Sequence, residues 1–212
     1  MIRHVIIADG DYIDHVAFDL TVNFERMLER RIPPADLALW TECVALDGGV
    51  AFDETATDET AQTAKETGTA TDEAEAQTQL IIVHDSGSTR LANFTPTDYA
   101  ADIDRKAFRS RVGEVVVNTV SAVNVAPKTE IIADLVSQMA ADNTVSHLMI
   151  IPGEDSYDIV RHILQSAKND NRKAVTVFVM EPKTENRNFR HEILGYSLMA
   201  ALGVRSSEFA AK

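Results

Sequence analysis

Val5-Ile6-Ile7-Ala8-Asp9-Gly10-Asp11 opens the chain, and Leu148-Met149-Ile150-Ile151-Pro152-Gly153-Glu154-Asp155-Ser156 repeats its pattern late in it. Each is a short apolar run that ends in a small acidic loop. A run of four or five apolar residues without alternation reads as a strand covered on both faces, the signature of a parallel sheet. Helical spacing sets in behind each run. After the first, Ile13, Val16, Ala17, Leu20, Phe24, Met27 and Leu28 share one face of a helix predicted over 13–31, which Pro33-Pro34 ends. After the second, Ile159, Val160, Ile163, Leu164 and Ala167 line a helix predicted over 156–167. Two such units predict a three-layer, Rossmann-like α/β fold with a mainly parallel sheet, in one domain spanning 1–212.

Between these ends, strands are predicted over 37–46, 80–83, 115–123, 147–151 and 175–180, and helices over 97–109, 128–141 and 188–202. Asp47-Gly48-Gly49 is a turn signal, so 37–83 also allows a hairpin, and Gly203 suits a left-handed cap for the last helix. Residues 53–78 are different. They hold eight acids against the single Lys65 and no large apolar residue, for a net of −7, which leaves −6 of the chain's −13 elsewhere. Such a segment cannot bury enough surface to offset its ordering entropy, so it is expected to be a disordered acidic insert.

Composition narrows the function classes. A net charge of −13 argues against generic attraction to nucleic acid or anionic membrane, and aromatics make up only 6% of the chain. The densest basic group is Arg105, Lys106, Arg109 and Arg111, with no interleaved aromatics. Cys43 is the only cysteine, so no intrachain disulfide forms, and it reads as an inert buried thiol. No apolar run approaches the ~18 residues of a membrane span. A cytoplasmic location is the default expectation. The predicted C-terminal helix is apolar over a broad arc through Phe189, Ile193, Leu194, Tyr196, Leu198, Met199 and Leu202, which fits either burial or a protein partner, including a second copy.

The acidic loops are the candidate chemistry. Loops at the carboxyl ends of parallel strands surround the crevice where α/β folds bind ligands. Asp9 and Asp11 from one loop, with Glu154 and Asp155 from the other, are hard oxygen donors of the kind Mg²⁺ or Mn²⁺ takes, with Asp9, Glu154 and Asp155 as the metal ligands. The competing reading is structural: Asp155 or Ser156 as N-cap of the second helix, and Asp11 and Asp14 in that role for the first. His84-Asp85 ends a strand and joins Asp9 if the two strands are neighbours, although a lone strand-end histidine is more often a surface residue.

The run Val5–Tyr12 resembles the first strand and aspartate of PIN-like ribonuclease domains of the NYN type. Lys128-Thr129-Glu130-Ile131-Ile132-Ala133-Asp134-Leu135 is similar to their central helix, and Gly153-Glu154-Asp155-Ser156-Tyr157 to their Gly-Asp-Ser-Asp-Phe loop. That resemblance implies a divalent metal that activates water against an RNA phosphodiester. This chain departs from it with Glu154 and Ser156 in place of the two loop aspartates, and with Glu130 offset. The whole chain also resembles an uncharacterised family of small acidic Bacteroidota proteins, through Val175–Phe178 and Phe189–Leu198. Two functions are therefore carried forward. The first is a non-catalytic interaction or regulatory module. The second is a metal-dependent PIN-like ribonuclease or phosphodiesterase, which alone would need Mg²⁺ or Mn²⁺.

Overall fold

The fold was obtained as a computed structural model and is described over residues 2–52, 77–122, 126–167, 173–184 and 186–209. Nearly all of the expected acidic insert lies outside the described residues; its last two, Gln77 and Thr78, open a strand.

The first strand, β1 (Ile2–Asp9), leads directly into α1 (Gly10–Leu28). A two-residue strand, β2 (Ala35–Asp36), precedes α2 (Leu37–Asp47), and β3 comes next (Gln77–Asp85). After the short β4 (Phe94–Thr95), a π-helical turn (Tyr99–Ile103) leads to β5 (Ala107–Ser110) and β6 (Gly113–Ala122). The chain then alternates through α3 (Lys128–Ala141), β7 (His147–Ile151), α4 (Glu154–Ser166), β8 (Ala174–Val179), β9 (Arg190–Ile193) and α5 (Leu194–Ala201).

Seven strands form one sheet in the order β5-β6-β3-β1-β7-β8-β9, parallel except for the edge pair β5–β6. β1 is central and lies parallel to β7, with Val5 beside Leu148 and Ala8 beside Ile151. The sheet therefore has the three-layer Rossmann-like form expected from the apolar runs. The two faces of β1 divide by the two-residue period of a strand. Ile6 and Ala8 pack with α1, α2 and α5, whereas Val5 and Ile7 pack with α3 and α4. All four are fully buried, and each large aliphatic side chain so placed contributes roughly 1.5–3 kcal/mol.

Three elements differ from expectation. Residues 37–46 form a helix, not a strand. Asp36 accepts a hydrogen bond from the Leu39 amide at 3.0 Å and so starts α2. The helix is buried nearly all round, with Trp40, Thr41 and Val44 at 0% exposure, and an apolar run of that length does not distinguish a buried helix from a strand. Asp47-Gly48-Gly49 accordingly ends a helix rather than turning a hairpin, with Gly49 at φ +92°. Residues 97–109 hold only the π-helical turn, capped by Asp98 through the Ala101 amide at 2.8 Å, and then edge strand β5. The last predicted helix is split. Phe189 joins the α3–α4 core, Arg190–Ile193 pair with β8, and α5 starts only at Leu194. Gly203, at φ +67°, comes after it as expected.

Candidate functional site

Strand period and crossover place the acids. Val5, Ile7 and Asp9 continue one row of β1 on its α3 side, and Ile81, Val83 and Asp85 continue the matching row of β3. The first residue of α3, Lys128, meets both rows at their carboxyl ends. Its ammonium lies 2.9 Å from Asp9 Oδ1, 2.8 Å from Asp11 Oδ2 and 3.3 Å from Asp85 Oδ2. An ammonium has three N–H donors, and here three carboxylates receive them.

The surroundings tighten this arrangement. Asp9 is 3% exposed and also caps α1, accepting from the Tyr12 amide at 3.0 Å. Asp11 accepts from the Asp85 amide at 2.8 Å and from the Ser88 hydroxyl. Burial raises the Asp9 carboxyl above the usual range, offset in part by Lys128 and the Tyr12 amide. Asp11 is also partly buried, but hydrogen bonds from Lys128, Ser88 and the Asp85 amide outweigh that burial and lower its pKa. At Lys128, burial favours the neutral amine, yet hydrogen bonds to Asp11 and Asp9 hold the pKa above its ordinary value. The group is thus one fixed cation among three anions.

The structure places Asp9 and Asp11 side by side at Lys128, and because β1 and β3 are neighbours, the condition stated for His84-Asp85, Asp85 joins them. Glu154 and Asp155 are exposed in the first turn of α4, where they favour the helix dipole. Gly153, not Asp155 or Ser156, is the N-cap of α4, and it makes no side-chain cap bond. Its absent side chain is required by Asp9: a Cβ at Gly153 would lie 2.6 Å from Asp9 Oδ2. Asp9, not Asp11 or Asp14, caps α1; Asp14 instead holds the loop after β3 by accepting from the Asn93 amide at 2.7 Å. His84 is not a surface residue. It is 7% exposed and stacks on Tyr99 with ring centroids 4.0 Å apart. Among the described residues, no three His, Cys, Asp or Glu side chains form a group that could hold a metal ion.

Lys128 was missed as a site residue, although the sequence carries a signal. A lysine directly after Pro127, at the first position of a helix, opposes the helix dipole and calls for a local anion. Of the other candidates, burial pushes the Cys43 thiol up, away from nucleophilic character. All four residues of the basic group are exposed; Arg111 binds Glu42 through Nε at 2.8 Å and Nη2 at 2.5 Å, and Arg105 pairs with Asp104. The apolar arc of α5 is largely used within the chain, with Leu194, Leu198 and Ala201 in the core and Tyr196 exposed. No described helix is long and apolar enough to cross a membrane.

On the other side of Gly153 the crevice opens into a cavity of about 430 Å³, walled by Tyr12, Pro152, Tyr157, Phe178 and Met180. It lies at the carboxyl ends of β7 and β8. Here α1 leaves β1 toward one face of the sheet while α4 leaves β7 toward the other, which is the switch point of the topology.

The chain belongs to a family of unknown function (DUF6621), whose model matches residues 1–209. No curated protein and no solved structure matches it.

Proposed function

We propose that this chain is a non-catalytic regulatory or interaction module of Rossmann-like form, in which Lys128 takes the place that a cation would hold in a metal-dependent relative of the fold. The observation that carries this reading is the contact of the Lys128 ammonium with Asp9, Asp11 and Asp85 at 2.9, 2.8 and 3.3 Å. An ammonium whose three donors are engaged has none left for a phosphate oxygen. A divalent ion entering between the same carboxylates meets a fixed positive charge. Asp9, whose place after an apolar strand resembles that of the first PIN-like aspartate, is already committed to Lys128 and to the start of α1.

The test is incubation of the whole protein with single-stranded RNA in the presence of Mn²⁺ or Mg²⁺, beside an Asp9→Asn variant. No cleavage above the variant's background is expected. Metal-dependent cleavage that Asp9→Asn abolishes would establish the PIN-like ribonuclease reading instead.

A further inference from the structure

The cavity beyond Gly153 has the same three carboxylates to one ammonium as the Lys128 cluster, but its charged groups are exposed. Glu154, Asp158 and Glu181 line it, with Lys183 as the one basic residue among the described residues of its wall. Its accessible apolar lining comes from the rings of Tyr12 and Tyr157 and from Met180, with Phe178 buried behind them. A volume of about 430 Å³ falls within the ~300–1,000 Å³ of small-molecule sites. The switch point is where open α/β sheets bind ligands.

One contact shows the kind of group these walls accept. The Lys183 ammonium stands over the Tyr157 ring, 5.4 Å from its centroid. The ring face is therefore presented to a cation and is within reach of one. The Tyr157 hydroxyl is tied to His191 Nε2 at 3.0 Å, which fixes that ring against the cavity. Lys183 is exposed and belongs to the loop after β8, so it can leave the ring without disturbing the core. The potential around Tyr12 points the same way. Burial raises its hydroxyl pKa, and the charges of Glu154, Asp9 and Glu181 add to that rise.

We propose that this cavity binds a small organic cation, a primary ammonium on an aromatic or short aliphatic body, with the apolar part between Tyr12 and Met180. The ammonium takes the place of Lys183 over the Tyr157 ring, facing Glu154 and Glu181. An ammonium over a ring is attracted by the ring's negative face, and the carboxylates add charge pairing. An anion of the same shape meets three carboxylates and is rejected. This inference goes beyond the module reading and does not depend on the Lys128 cluster.

The experiment titrates the full chain with benzylammonium chloride, and separately with sodium benzoate as the charge-reversed probe, and tracks both by amide-resolved NMR. Millimolar benzylammonium is expected to shift amides around Tyr12, Gly153, Tyr157 and Met180, while benzoate leaves them unmoved. The Glu154→Gln/Glu181→Gln double variant should weaken binding about fivefold to tenfold. Lys183→Met should strengthen it, because the tethered competitor is gone. All of these substitutions are at exposed positions and leave the fold intact. Failure of benzylammonium to bind, equal binding of benzoate, or indifference to the double variant would each overturn the proposal. None of those results bears on whether Mn²⁺ supports RNA cleavage, so the two readings fail separately.

Discussion

The two halves of the crevice, on either side of Gly153, treat charge in opposite ways. Between β1, β3 and α3, three carboxylates surround one internal ammonium, and Lys128 and Asp9 are almost withdrawn from water, with side chains 16% and 5% exposed. Between β7, β8 and α4, three carboxylates face an open cavity with one exposed lysine. The sheet supplies the same framework to both. What separates them is burial. A buried carboxylate must be paired, so the first half carries its own cation; an exposed one can wait for a ligand. The closed half then holds structure together, joining β1, β3 and α3, while the open half remains free to recognise something.

The largest expected effect tests the closed half. Lys128→Met removes the cation and leaves Asp9 buried with only the Tyr12 amide as partner, so unfolding in urea should show a loss of about 3–5 kcal/mol. The matching change in the open half, Lys183→Met, should cost no more than about 1 kcal/mol, since an exposed cation over a ring contributes little. Equal losses would erase the contrast.

Gly153 is the boundary between the halves. A methyl group there meets Asp9 Oδ2 at 2.6 Å, so Gly153→Ala should destabilise by about 1–3 kcal/mol. An Asp9→Ser/Gly153→Ala pair should be less costly than the sum of its single changes, which a double-mutant cycle in urea measures.

The opposite end of the sheet separates charge effects in the crevice from acid sensitivity elsewhere. His4 and His147 face each other on β1 and β7 with ring centroids 5.1 Å apart. Burial, with added repulsion from His147 and Arg3, lowers the His4 pKa from 6.5 to about 4, and burial lowers that of His147. The unfolded chain therefore takes up these protons first. The associated stability is complete above pH 6.5 and is lost as pH falls toward 4. The loss from His4 should be on the order of 2 kcal/mol, given its partial exposure. Unfolding measured across that range should show the slope, and His4→Gln should flatten it. An unchanged slope would place the acid sensitivity elsewhere.

The smallest effect is a control on the scaffold away from both halves. Asp36→Ala removes the side-chain cap of α2 and should cost about 1 kcal/mol by thermal melting, with no change in benzylammonium binding.

The sheet was legible because β1, β3 and β7 carry unbroken apolar runs, and a run apolar on both faces has few places in a fold other than the middle of a parallel sheet. The elements misread were those where that rule is ambiguous. α2 is apolar all round and so imitates a strand, while β9 is short and half-exposed and merges by sequence into α5. In the site, Asp9 and Asp11 were visible because they stand at the end of the apolar run of β1 and just after it. Asp85 was visible only conditionally, since its meeting with Asp9 depends on the pairing of β1 with β3, which no local pattern encodes. Lys128 is 117 residues from Asp11 in the chain, and only the crossover of α3 brings the two together. Tyr12 and Tyr157 stood out only as members of the two loops, and Lys183 carried no signal, since a lysine in a loop is ordinary.

The central claim is that Lys128 serves the crevice as its cation. The most direct measurement is the thermal melt of wild type and Lys128→Met, each with and without millimolar Mn²⁺. The account predicts no Mn²⁺-dependent shift for wild type and a lowered midpoint for Lys128→Met. A wild-type midpoint that rises with Mn²⁺, or a Lys128→Met variant as stable as wild type without metal, would contradict it.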